Sequence, residues 1–106
     1  MPKIEVQTTI ICKGYFEDTA VWAGASLAHI LELAGIQPGA TQIRLTGADG
    51  YYALVDLEDA LSEKSFLAYE LRGQPIPILH GFPARAAFPG LPGSNWVKWL
   101  LKIDVE

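Results

Sequence analysis

The sequence predicts an α+β domain, on three observations. Stretches rich in β-branched and aromatic residues recur along the chain, at 3–15, 42–46, 51–55, 66–71 and 96–105. One short segment carries helical spacing with a start and a stop signal. Strands and helices do not alternate in the regular manner of a parallel doubly wound sheet, and no glycine-rich nucleotide loop follows a strand into a helix. With 106 residues, half of them hydrophobic, the chain suits one domain over residues 1–106 with a single core.

From Lys3 to Tyr15 the residues read as a strand, with Ile4, Val6, Thr8 and Ile10 on one face. Ser26 offers an N-cap oxygen, Leu27, Ile30, Leu31 and Ala34 fall at i, i+3, i+4 and i+7, and Gly35 supplies a left-handed stop. That spacing predicts a short amphipathic helix, on which His29 faces solvent. Pro38-Gly39 makes a turn. Residues 42–46 then alternate polar and apolar before the turn Gly47-Ala48-Asp49-Gly50, and Tyr51–Val55 returns as a second strand of a hairpin. Asp56 is expected to cap a helical turn running to Leu61, and the acids there read as capping and solvation. Phe66–Leu71 is a further strand, closed by Arg72-Gly73. Five of the seven prolines lie between Pro75 and Pro92, so a fixed, irregular loop is expected there, followed by a last strand from Trp96 to Val105.

The formal net charge of −4 argues against a nucleic-acid-binding surface. No apolar stretch reaches the ~20 residues of a membrane span, and no basic-then-apolar signal peptide is visible, which leaves the compartment unassigned. The single cysteine, Cys12, makes no intramolecular disulfide, and its residue type alone leaves it open between a buried apolar side chain and a reactive or metal-ligating thiol.

The charge is unevenly placed. Gln74–Ile103 holds three cations, Arg85, Lys98 and Lys102, and no acid, whereas Met1–Gly73 holds five cations against ten acids. A locally positive, Gly/Pro-rich segment suits a small anionic ligand. Within it, His80-Gly81-Phe82-Pro83-Ala84-Arg85 precedes Pro89-Gly90-Leu91-Pro92-Gly93-Ser94-Asn95-Trp96-Val97-Lys98-Trp99. Arginine holds phosphate through a planar fork and lysine as a point charge, while glycines let backbone amides approach the oxygens. Arg85 and Lys98 are therefore expected to converge on one anion. A loop arginine is also expected to add little to the core, so that removing Arg85 costs under about 1 kcal/mol of stability.

These motifs closely resemble the signature of the sulfite oxidase and assimilatory nitrate reductase family, and more distantly that of the periplasmic methionine sulfoxide reductase catalytic subunit. Trp22-Ala23-Gly24-Ala25-Ser26-Leu27 is similar to that family's helix entry, Ala48-Asp49-Gly50-Tyr51 to its central turn, and Leu67-Ala68-Tyr69-Glu70-Leu71 to its strand before the clamp. The resemblance implies a mixed-sheet, barrel-like core with short helices. It also implies a molybdopterin cofactor, its phosphate held by His80, Arg85 and Lys98, with Thr46 contributing and the backbone at Trp96 and Val97 alongside. It casts Cys12, ten residues before Trp22, as the catalytic thiolate ligand of molybdenum in oxygen-atom transfer.

Two departures accompany it. Sulfite oxidases follow the cysteine with Ala-Gly-Asn-Arg-Arg, whereas Cys12 is followed by Lys13-Gly14-Tyr15-Phe16-Glu17, which argues against sulfite as the substrate. Family enzymes also carry a longer segment before the cysteine, where this chain has eleven residues. The expectation is a half-open pocket in a minimal family member, in a fragment, or in a chain completed by a second subunit or an N-terminal segment. The alternative function is a non-catalytic module that keeps the fold, does without the molybdenum cofactor, and binds a pterin, another anion or a protein partner.

Overall fold

The computed structural model describes residues 3–12 and 16–106, with side chains at 3–10 and 19–106. The first strand, β1 (Lys3–Cys12), pairs antiparallel with β2 (Phe16–Ser26) in a register running from Lys3 opposite Ala25 to Cys12 opposite Phe16. Ile10 is buried and Ile4, Val6 and Thr8 half-buried, the face that the alternation predicts. The second strand was not expected. Its segment mixes the strand formers Phe16, Thr19, Val21 and Trp22 with acids, alanines and a glycine, a diluted signal, and it is extended where β1 and β5 (Phe66–Leu71) pair with it on either side. Gly24 permits that approach at a bulge between Ala23 and Gly24, since a Cβ there would overlap the Leu67 carbonyl.

Helix α1 (Leu27–Ala34) follows without a loop. Ser26 Oγ accepts the His29 N–H at 3.3 Å, Leu27 and Leu31 are buried, and Gly35 closes the helix at φ +86°. His29 is exposed, as its place on the helix predicts. Strands β3 (Gln42–Gly47) and β4 (Tyr52–Asp56) form the expected hairpin, its turn tied by Asp49 Oδ1 accepting the Tyr51 N–H at 3.1 Å. The short helix α2 (Leu57–Ala60) follows Asp56, whose side chain makes no capping bond, contrary to the expected cap.

The Pro-rich segment is more ordered than its composition suggests. Two short strands, β6 (Gln74–Pro75) and β7 (Arg85–Ala87), both pair with β5, at its C-terminal and N-terminal ends respectively. Single 3₁₀ turns occupy Ile78–His80 and Gly93–Asn95. The last strand, β8 (Leu100–Val105), starts four residues later than expected, because Trp99 adopts φ +55° and interrupts the extended backbone.

Among the described residues the strands thus form two antiparallel sheets, β1-β2-β5 with β6 and β7 on the far edge of β5, and β4-β3-β8. Helices α1 and α2 carry the chain between them. One buried cluster joins the sheets, with Trp22, Leu27, Ile43, Leu45, Phe66, Phe88 and Trp96 among its members. Trp22 and Trp96 meet edge to face at 5.8 Å, and the Trp96 indole N–H donates to Phe88 O at 3.0 Å. No described helix is long and apolar enough to cross a membrane.

Candidate functional site

The segment from Pro75 onward places the chemistry. Arg85 opens β7 opposite Ala68, and on its other side it bridges Lys98 in an isolated antiparallel pair. Gly81 lies against both: a Cβ on it would come within 2.9 Å of Lys98 Cβ and 3.1 Å of Arg85 Cβ, and its φ is +124°. A glycine is therefore required where the 78–81 turn crosses the two cations.

Arg85 is buried, 7% exposed, which corrects the expectation of a loop arginine with little share in the core. Its Nε donates to Trp96 O at 2.9 Å and its Nη1 to His80 O at 3.1 Å, while Cζ lies 6.0 Å from the Trp22 ring centroid. A buried guanidinium needs such partners to offset its desolvation. Lys98 is half-buried, and its Nζ donates to Leu79 O at 2.9 Å and sits 4.5 Å from the Trp99 ring centroid. Trp99 in turn donates its indole N–H to Ile78 O at 2.6 Å. Three successive carbonyls, at Ile78, Leu79 and His80, are thus bound by Trp99, Lys98 and Arg85.

Arg85 and Lys98 line one cavity of about 200 Å³ together with Asp49, Tyr51, Gly93, Ser94, Trp96 and Val97. Among the described residues its lining carries two cations and one acid. The acid is engaged locally, Asp49 accepting from the Tyr51 amide, and Tyr51 Oη donates to Ser94 O at 2.7 Å, joining the β3–β4 turn to the 93–95 turn. The Trp96 and Val97 amides are used within the chain, donating to Gly93 O at 3.0 Å and Asn95 O at 2.9 Å. Among the described lining residues, Arg85, Lys98 and Ser94 are those whose side chains carry donors other than the engaged Tyr51 hydroxyl and the Trp96 indole.

The residues anticipated from sequence divide accordingly. Arg85, Trp96, Val97 and Lys98 come together at the cavity. His80 is exposed and is not among the lining residues; its carbonyl accepts from Arg85. Thr46 is half-buried on β3, between Tyr52 and Lys102, and is also outside the lining. Cys12 ends β1 opposite Phe16, and its side chain lies outside the described residues. Asp49, Tyr51, Gly93 and Ser94 were not anticipated as site residues, although the turn 48–51 and the Gly93-Ser94 pair belong to the motifs already singled out. A larger depression of about 480 Å³, lined by Val6, Gln7, Thr8, Glu63, Lys64 and Pro89, brings one acid and one cation together.

Comparison with known proteins bears on this geometry. A family model described as the oxidoreductase molybdopterin binding domain matches residues 1–106. Mitochondrial sulfite oxidase of Macaca fascicularis is 34% identical over 134 aligned positions, covering 99% of this chain and 25% of that protein. The oxidoreductase YuiH of Bacillus subtilis is 36% identical over 104, covering 97% of this chain and 52% of that protein. The chain thus spans about a quarter to a half of the length of these relatives. The crystal structure of the sulfane dehydrogenase SoxCD from Paracoccus pantotrophus superposes with a TM-score of 0.90 at 22% identity, over 99% of this chain and 32% of that one, a likeness of fold. The match over all 106 residues, and the relatives more than 30% identical along nearly the whole chain, place it in a family: the chain belongs to the oxidoreductase molybdopterin binding domain family, of the sulfite oxidase type.

Proposed function

We propose that residues 1–106 act as a single cofactor-binding domain that holds a molybdopterin by its phosphate between Arg85 and Lys98. The observation that supports this is that two cationic residues, bridged backbone to backbone, line one cavity in a protein of net negative charge. The donor set fits the group. A guanidinium fixed by two backbone carbonyls presents its plane in one orientation, and the ammonium of Lys98, the residue bridged to it, adds a point charge, which together suit a phosphate dianion. The Gly81 contact leaves the two side chains room to approach, where any Cβ would push them apart.

Thr46 and His80 belong to the proposal as supporting residues at the edge of the site, and Trp96 and Val97 as its wall. Cys12 is proposed as the protein's thiolate ligand to the metal. When bound, the molybdenum cofactor would supply oxygen-atom transfer to or from a small substrate. The residues of this chain bind and orient it: Arg85 and Lys98 neutralise its phosphate, and the Trp22–Trp96 pair keeps the Arg85 side chain out of water. With Lys13-Gly14-Tyr15 after Cys12 in place of an arginine pair, the proposed substrate is not sulfite.

The cavity is smaller than the ~300–1,000 Å³ typical of small-molecule sites, so it accommodates the anionic end of the cofactor and leaves the rest to be covered. A second subunit or an additional segment is proposed as that cover. Ile78, Leu79 and Phe82, which are 70%, 79% and 48% exposed beside the clamp, are the apolar surface it would meet.

The test is elemental analysis of protein purified from a host that makes the cofactor. Molybdenum and pterin at about one per chain are expected. Folded protein free of both, which also fails to bind extracted molybdopterin under reducing conditions, would leave the non-catalytic module as the better account.

A further inference from the structure

Lys98 and Trp99 are consecutive, and in an extended strand their side chains would point to opposite faces. They do not. Trp99 has φ +55°, a left-handed conformation that a bulky side chain rarely adopts, and the Lys98 ammonium lies 4.5 Å from the centre of the Trp99 ring. The unusual backbone is held in place from two directions. Trp99 O accepts the Ala48 N–H at 2.8 Å, and the indole N–H donates to Ile78 O at 2.6 Å. The next residue, Leu100, resumes the strand by donating to Ala84 O at 3.0 Å. Backbone strain of this kind persists only where the surroundings over-determine it, and it concentrates at functional sites.

The consequence falls on Lys98. A lysine side chain has four rotatable bonds and ordinarily samples many rotamers, so ordering it on ligand binding carries an entropic cost. Here the stem lies against Gly81, and the ammonium rests on the indole face and donates to Leu79 O at 2.9 Å. An ammonium has three N–H donors, and one is committed to Leu79. The charge of this cavity-lining residue is therefore held in one place before any ligand arrives.

We infer that Trp99 is the positioning residue for Lys98: its left-handed backbone and indole ring fix the ammonium at the anion cavity, so that the phosphate meets an ordered charge. This rests on the reading that Lys98 faces the cofactor phosphate, and the experiment separates the two. In the cofactor-free chain, lysine amines are acetylated with a limiting reagent and mapped by mass spectrometry, with the exposed Lys64 and Lys102 as internal references. Lys98 should react several-fold more slowly than either in wild type and approach Lys102 in Trp99→Leu, with Trp99→Phe intermediate because it keeps a ring and loses the N–H.

Titration with extracted molybdopterin supplies the second arm. Trp99→Leu should weaken binding by about 3- to 10-fold, and the loss should vanish in a Lys98→Met background, since a residue acting through Lys98 has nothing to position there. An unchanged Lys98 reaction rate overturns the inference, as does an equal loss of affinity in the Lys98→Met background. If Trp99→Leu does not fold, Trp99→Phe carries both arms. If wild type binds no molybdopterin, the cofactor reading falls while the acetylation rates still decide whether Trp99 holds Lys98.

Discussion

Arg85 and Lys98 face each other across a single antiparallel bridge, and each sends its charged group to a carbonyl of the same turn, Arg85 to His80 and Lys98 to Leu79. Thirteen positions apart in sequence, they are brought together because β7 and the approach to β8 run side by side, with the 78–81 turn lying across them. The juxtaposition of these two cationic residues is thus a property of backbone pairing.

Gly81 is the point at which that arrangement is most easily broken. Gly81→Ala would place a methyl within 2.9 Å of the Lys98 stem and force a side chain to accept φ +124°. A loss of about 1–3 kcal/mol of stability is expected from the backbone conformation and the contact together. Urea denaturation checks it. A variant as stable as wild type would mean that the turn shifts freely, and that the pairing of Arg85 with Lys98 does not depend on it.

Gly24 is predicted to be less tolerant still. The obstacle there is the Leu67 carbonyl of a paired strand, which cannot swing aside as a flexible side chain could. Gly24→Ala should cost about 3 kcal/mol or more, enough to leave a marginal domain largely unfolded. Circular dichroism of the purified variant, or its failure to accumulate in soluble form beside wild type, reads this out. A native spectrum with an unchanged melting point would remove the steric account of the bulge.

The cap of α1 offers a milder test. Ser26 Oγ accepts from the His29 amide at 3.3 Å, a long bond, so Ser26→Ala should cost about 0.5–1 kcal/mol, toward the lower end for N-caps. Thermal melting would show a drop of a few degrees. A fall much larger than this would point to a further role for Ser26, which also ends β2 opposite Phe66.

Helix α1, the β3–β4 hairpin and β5 were legible because each carries its own signal, a cap and a left-handed glycine, a turn with Asx chemistry, or an apolar alternation. Strand β2 was not, since in Phe16–Ser26 the strand formers Phe16, Thr19, Val21 and Trp22 are interspersed with acids, alanines and a glycine, and pairing with its neighbours settles the extended state. The two cations of the site were legible from charge bias and spacing. Tyr51, Asp49 and Ser94 were not, because they reach the cavity through a turn-to-turn contact between segments more than forty residues apart. The left-handed Trp99 had no signal at all: no residue type announces that a tryptophan will take a conformation that favours glycine.

Arg85 shows how the structure changes a mutational expectation. As a loop cation it would be dispensable for folding, but at 7% exposure its side chain donates to Trp96 O and His80 O and lies over Trp22. Arg85→Ala strips both carbonyls of their donors and leaves a void beneath the tryptophan pair. A loss of about 2–4 kcal/mol of stability is therefore expected, against the smaller figure that a surface arginine would give. Cofactor binding and folding would then fall together in this variant, so it cannot report on the phosphate alone. Lys98→Met is the better probe of affinity. It keeps the apolar stem beside Gly81 and removes a half-buried charge that is bonded to one carbonyl, so stability should change by under about 1 kcal/mol. Affinity for extracted molybdopterin should meanwhile drop by about tenfold or more through loss of a charge-assisted contact. Melting curves and pterin titrations on the two variants, side by side, check the pair. A stable Arg85→Ala would show that the two carbonyls find other donors, and a Lys98→Met variant with undiminished affinity would remove the ammonium from the clamp.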